Sequence, residues 1–167
     1  MLPDPRLAWP GPPLARARAL HVSAVVGRGP EAFARAADAI ATWRMHDGAG
    51  VRVHDPSGGA PARAAEGVRV RVRLGLLPLG GTCRVVDAGR DDSAAWVLYA
   101  TEPDHVEQGT ELFAVLLDDD RDVRGDVAAW SQPRAWPLRV AGPVGRLGQR
   151  VIARRYLRAL ARLSRPR

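Results

Sequence analysis

Val68, Val70, Val72 and Leu74 alternate with Arg69, Arg71 and Arg73, a period of two that predicts a strand with one apolar and one charged face. Shorter apolar runs bounded by Gly, Asp, Arg or Pro predict further strands at Leu20–Val26, Val51–His54, Thr82–Val86, Ala94–Ala100, Glu111–Leu117 and Val123–Trp130. Two stretches carry a different period. From Pro30 to Gly48, Phe33, Ala36, Ala37 and Ile40 recur at helical spacing, with proline at the first helical position and Glu31 at the positive end of the helix dipole. From Arg146 to about Leu163, Ile152, Tyr156, Ala159, Leu160 and Leu163 share one helical face, and Arg150, Arg154, Arg158 and Arg162 share the opposite one.

The resulting order is strand, helix, a run of about six closely spaced strands, then a long amphipathic helix. Closely spaced strands pair as an antiparallel meander, and helices at the two ends of such a run pack on one side of the sheet. The predicted class is α+β, with a curved antiparallel sheet of about six to seven strands wrapped around the C-terminal helix, a helix-grip arrangement. Residues 1–19, with five prolines among the first thirteen residues, read as an irregular arm lacking the basic-then-apolar pattern of a secretory signal. Residues 20–167 read as one domain.

Composition changes this picture little. The formal charge is +7, yet all the basic residues are arginine and the chain contains no lysine or asparagine, as biased codon usage would produce. The arginine rows carry few interleaved aromatics for stacking bases, so nucleic acid is not the expected partner. No apolar run reaches the roughly 18 residues of a membrane span. The single cysteine, Cys83, cannot close an internal disulfide, which favours a reducing compartment and hence the cytoplasm.

Chemistry is sparse. No HExxH, CxxC, GxSxG or P-loop pattern occurs, so neither a metal nor a cofactor is expected. Glu102-Pro-Asp-His105-Val-Glu107 sets a histidine between carboxylates, but Pro103, Asp104 and Gly109 are turn formers, and a solvated hairpin turn is favoured over an acid–base site. His46, near the end of the first predicted helix, is the best placed of the histidines for a buried role. Cys83 reads as a small core residue, because Arg84 beside it on a strand points to the other face.

Several motifs in sequence order resemble the bacterial and plant domain-of-unknown-function nineteen-ninety family: Trp43-x-Met-His46, Gly81-x-Cys-Arg-Val-Val86, Tyr99-x-Thr-x-Pro-x-His-x-Glu-x-Gly109 with Glu111-x-Phe113, Ser131-x-Pro-x-x-Trp136, and Gly142-Pro-Val with Gln149. Gln132 departs from the arginine typical of that position, with Arg134 two residues further on. The resemblance implies a small helix-grip protein of the START/Bet v 1-like type and no particular activity. The expected function is binding of a small, partly apolar molecule between the sheet and the last helix, with Arg84, Tyr99, Phe113, Trp130, Ile152, Tyr156 and Leu160 as candidate ligand contacts. An alternative is a hydrolase or cyclase in the same cavity, using His46, Tyr99 and Glu111 to move protons. A second alternative is an arginine-rich nucleic-acid adaptor.

Overall fold

The computed structural model describes residues 18–75, 80–133 and 142–166. Seven strands form one sheet: β1 (Arg18–Arg28), β2 (Val51–His54), β3 (Arg69–Leu74), β4 (Gly80–Arg90), β5 (Ala94–Thr101), β6 (Glu107–Leu117) and β7 (Asp122–Pro133), in the order β1-β7-β6-β5-β4-β3-β2. All neighbours are antiparallel. Strands β2 to β7 are a meander, and β1 closes it by pairing with β7, placing Leu20 opposite Ala129. The boundary expected after residue 19 falls inside β1, whose Arg18 and Ala19 pair with Ser131 and Trp130. Residues 1–17, where the irregular arm is expected, and Arg134 and Trp136 lie outside the described residues.

The alternation on β3 is realised as predicted, with Val70 and Val72 buried and Arg69, Arg71 and Arg73 exposed. Its inner side joins a core to which every other strand contributes, together with the helices. The first helix differs from expectation. It is two helices, α1 (Pro30–Ala41) and α2 (Arg44–Gly48), broken at Trp43, whose backbone is left-handed at φ 64°. That conformation disfavours a residue with a Cβ. Here it is held by burial of the indole, whose Nε1 donates to the Ala62 carbonyl at 2.8 Å. The turn carries Met45 and His46 into the core, where each is fully buried.

The closing helix, α3 (Gly142–Leu163), packs against β1, β7, α1 and α2. Tyr156 and Leu160 are buried as predicted, and Ile152 and Leu163 are half-buried. Ala153 and Leu157 widen the buried stripe beyond the predicted face. Arg150, Arg154, Arg158 and Arg162 are exposed, although Arg162 also donates to the Gly48 carbonyl at 2.7 Å, closing the end of α2.

The end of α3 is fastened to a bulge in β1 between Val25 and Gly27. Buried Ser164 donates its hydroxyl to the Val26 carbonyl, and a Cβ at Gly27 would lie 2.9 Å from Ala32 Cβ. Glycine is therefore what allows β1, α1 and α3 to meet there. Ser164→Ala should lower unfolding free energy by about 1 kcal/mol, since it strands a buried carbonyl. Urea unfolding midpoints measure this, and an unchanged midpoint would mean that the fastening contributes nothing.

Candidate functional site

Between the inner face of the sheet and α3 lies an open cavity of about 380 Å³. Its apolar wall comes from Leu20, Val51, Val72, Leu74, Val151 and Ile152. Its polar groups come mainly from the β5–β6 hairpin, and the cause is the two-residue period of a strand. Tyr99 and Thr101 on β5 and Glu107, Gly109 and Glu111 on β6 occupy alternate strand positions and reach the cavity, joined by Thr110 of β6 and by His105 from the turn between the two strands. Ser131 from β7, and Gln149, Arg155 and Tyr156 from α3, complete this polar side.

Tyr99 and Glu111 are directly opposed across β5 and β6, and the Tyr99 hydroxyl donates to Glu111 Oε2 at 2.6 Å. Glu111 is half-buried and lines the cavity. Loss of water raises its carboxyl from 4.5 to about 7; the Tyr99 hydrogen bond pulls the other way, and the charge of Glu107 pushes it up further. Burial likewise pushes the Tyr99 and Tyr156 phenols well up, helped by the Glu111 charge. Both stay neutral hydrogen-bonding groups.

Gln149 ties the helix to the hairpin side. Its amide donates to Glu107 Oε1 at 2.8 Å and to the Ser131 hydroxyl at 3.1 Å. His105 occupies a turn, as expected, but the turn is not simply solvated. The residue is half-buried against the cavity, and its Nδ1 lies 3.0 Å from the Glu107 amide nitrogen. Gly81, at φ 153°, accommodates this approach, because a Cβ there would stand 2.3 Å from His105 Cα. Asp104 anchors the same turn, accepting from the Thr82 hydroxyl at 2.8 Å and the Thr82 amide at 3.1 Å.

The structure sorts the candidate residues into three groups. Tyr99, Glu111, Ile152 and Tyr156 line the cavity together. His46, Phe113 and Leu160 are fully buried in the packed core rather than lining the space. The His46 ring lies 4.8 Å from Phe113, 4.9 Å from Tyr156 and 5.2 Å from Trp43, centroid to centroid, and among the described residues neither ring nitrogen has a hydrogen-bond partner. Burial lowers its pKa from 6.5 to about 3, so it is a neutral and very weak base rather than a general base poised for neutral pH.

Arg84 and Trp130 are the third group, and both depart from expectation. Arg84 is exposed on the outer face of the sheet, 3.4 Å from Glu102, because Cys83 takes the inward position. Trp130 pairs with Thr110, between inward-facing Ala129 and Ser131, so strand alternation turns it outward. The thiol of Cys83 is buried, and burial raises its pKa well above the ordinary value, leaving it unreactive. Among the described residues no group of His, Cys, Asp or Glu side chains is placed to hold a metal ion.

Glu107, Ser131 and Gln149 were present in the sequence motifs but were not singled out as site residues. The period of two from Tyr99 through Phe113 was the available signal for Glu107. Gln149 and Ser131 carried none, because their meeting depends on where α3 lands.

A seven-stranded antiparallel sheet curled around a terminal helix, with a cavity between them, defines a helix-grip α+β protein. The chain belongs to the family described as domain of unknown function DUF1990, which matches residues 8–159. No curated protein matches it in sequence. Among solved structures it is similar to the hypothetical protein jhp0584 from Helicobacter pylori, with TM-score 0.63, 11% identity, and 88% of this chain and 86% of that one covered. It is also similar to Ara h 8.0201, with TM-score 0.55, 8% identity and coverage of 89% and 97%. A third is the major latex-like protein 151 from Panax ginseng, with TM-score 0.55, 12% identity and coverage of 90% and 99%. At these identities the likeness is one of fold, and it supports the helix-grip class.

Proposed function

We propose that the protein binds a small, partly apolar molecule in the cavity between the sheet and α3, and does so in the cytoplasm. The observation that carries this reading is the cavity itself: about 380 Å³, walled mainly by aliphatic side chains, with convergent polar groups on one side. That combination is typical of small-molecule sites, which run to roughly 300–1,000 Å³. The enzyme alternative rests on Glu111, whose carboxyl at about 7 beside the Tyr99 hydroxyl has the proton affinity of a general acid or base at neutral pH. In that case the proton carriers are Tyr99 and Glu111, and His46 is support beneath them. The nucleic-acid alternative stands further back, since Arg69 and Arg84 are engaged with Glu102 and the arginines of α3 lie on an ordinary solvated face.

The test is titration with 8-anilinonaphthalene-1-sulfonate, an apolar dye whose fluorescence reports transfer out of water. Ile152→Trp, which extends a half-buried side chain into the space, should weaken dye binding about tenfold or more, as a filled pocket loses its apolar contacts. Circular dichroism establishes that the variant is folded. Equal binding by a folded Ile152→Trp would place the dye elsewhere and remove support for the cavity as the site.

A further inference from the structure

We infer that the preferred ligand carries a protonated nitrogen base, seated on Glu111 Oε1 while its apolar body lies along the aliphatic wall. This inference rests on the cavity being the binding site. Tyr99 occupies Oε2 of Glu111, and among the described residues Oε1 has no hydrogen-bond partner. No ion pair involves Glu111 or Glu107 among the described residues either. A carboxylate withdrawn from water without a cation is costly, and such groups are normally paired or retained for a task. A ligand cation would supply the missing partner.

The charges facing Glu111 from other elements favour the same choice. Glu107 on its own strand adds negative potential, and the Gln149 amide holds that carboxylate toward α3. From β5 and α3 come the neutral phenols of Tyr99 and Tyr156, and from α2 the neutral ring of His46 lies beneath. Cys83 on β4 is an un-ionised thiol. His105 lines the cavity from the turn. Arg73 and Arg155 are exposed at the rim, and neither is among the groups that act on Glu111. The interior is therefore acidic and the rim basic. A buried carboxylate on the ligand would meet Glu107 and Glu111, whereas an ammonium would meet the unused acceptor oxygen of Glu111.

The experiment compares three chain-matched probes, 4-phenylbutylamine, 4-phenylbutanol and 4-phenylbutyrate, by calorimetric titration of the full chain at about pH 8 and pH 6. At pH 8 the amine should bind about tenfold tighter than the alcohol, as a charge-assisted hydrogen bond to a half-buried carboxylate should provide. An alkylamine stays protonated over this range, so only the protein's ionisation changes. With Glu111 titrating at about 7, the amine should bind about tenfold more weakly at pH 6 than at pH 8, and the alcohol should change much less. Glu111→Gln should remove both the preference for the amine and its pH slope.

A slope that persists in Glu111→Gln and disappears in His105→Gln would assign the proton to the turn and overturn the inference. An alcohol or a butyrate that binds as tightly as the amine at pH 8 also overturns it, while leaving the cavity as a binding site. Failure of all three probes would count against the cavity reading itself. The comparison on the unmodified chain decides between these outcomes even if a Glu111 variant does not fold.

Discussion

Leu160→Ala should lower the free energy of unfolding by about 2–5 kcal/mol, the range for removing a large aliphatic side chain from a well-packed core. Leu160 has no exposed surface and belongs to the main core rather than to the cavity wall. Its neighbours include the inner side of β7, where a Cβ at Gly125 would lie 3.2 Å from Leu160 Cδ1. Because the space around it is filled, truncation leaves a void that surrounding backbone closes only in part. Arg154→Ala and Arg158→Ala on the opposite face are exposed and should shift stability by no more than about 0.5 kcal/mol. Urea unfolding midpoints for the three variants make the comparison. Destabilisation by the arginine variants with a silent Leu160→Ala would mean that α3 is rotated from the orientation described above.

The second large effect is hidden in the unmodified protein. His46 has its pKa lowered by burial from 6.5 to about 3. Below the ordinary value the unfolded chain takes up a proton that the folded chain refuses. Stability from this group is complete at higher pH and falls by about 2 kcal/mol on going from about pH 7.5 to pH 5. Glu111 has its pKa raised by burial from 4.5 to about 7. In the interval between those values the folded chain keeps a proton that the unfolded chain has released. Its contribution is complete in acid and lost as pH rises through 7, so acidification over the same window adds about 2 kcal/mol.

The two terms oppose each other, and unfolding free energy of the unmodified chain should be nearly level across that window. Glu111→Gln leaves His46 unbalanced and should lose about 2 kcal/mol between about pH 7.5 and pH 5. His46→Leu should gain a similar amount. The carboxylates of Asp38, hydrogen-bonded by Arg63, and of Glu102, hydrogen-bonded by Arg69, are held below their ordinary values and act at still lower pH. Unfolding curves at constant ionic strength, taken at half-unit intervals, would separate the variants. Parallel profiles for all three proteins would show that neither group titrates as its surroundings require.

Much of the architecture was legible in the sequence because it depends on local period. Alternation on β3 and the apolar stripe of α3 each determine which side chains must leave water, and both faces are found as read. Strand count, the α+β class and the closing helix follow from those periods together with turn residues. Pairing of β1 with β7 did not, since register across about a hundred residues is set by the whole sheet. Nor did the break at Trp43: helical spacing continues through it, and the left-handed turn is held by a hydrogen bond to Ala62 in a distant loop.

The site divides in the same way. Tyr99 and Glu111 lie on strands whose inward faces the alternation already indicated, so the sequence by itself determined that both could face the helix. Whether they faced solid core or open space depended on how far α3 stands from the hairpin, a distance that no residue specifies alone. His46 and Leu160 met filled space and Tyr156 met the cavity, although His46 and Tyr156 have ring centroids only 4.9 Å apart. Packing is a property of all the neighbours at once. The ionisation of Glu111 follows from it, because the carboxyl carries the same charge in any sequence, and only the folded chain takes away its water.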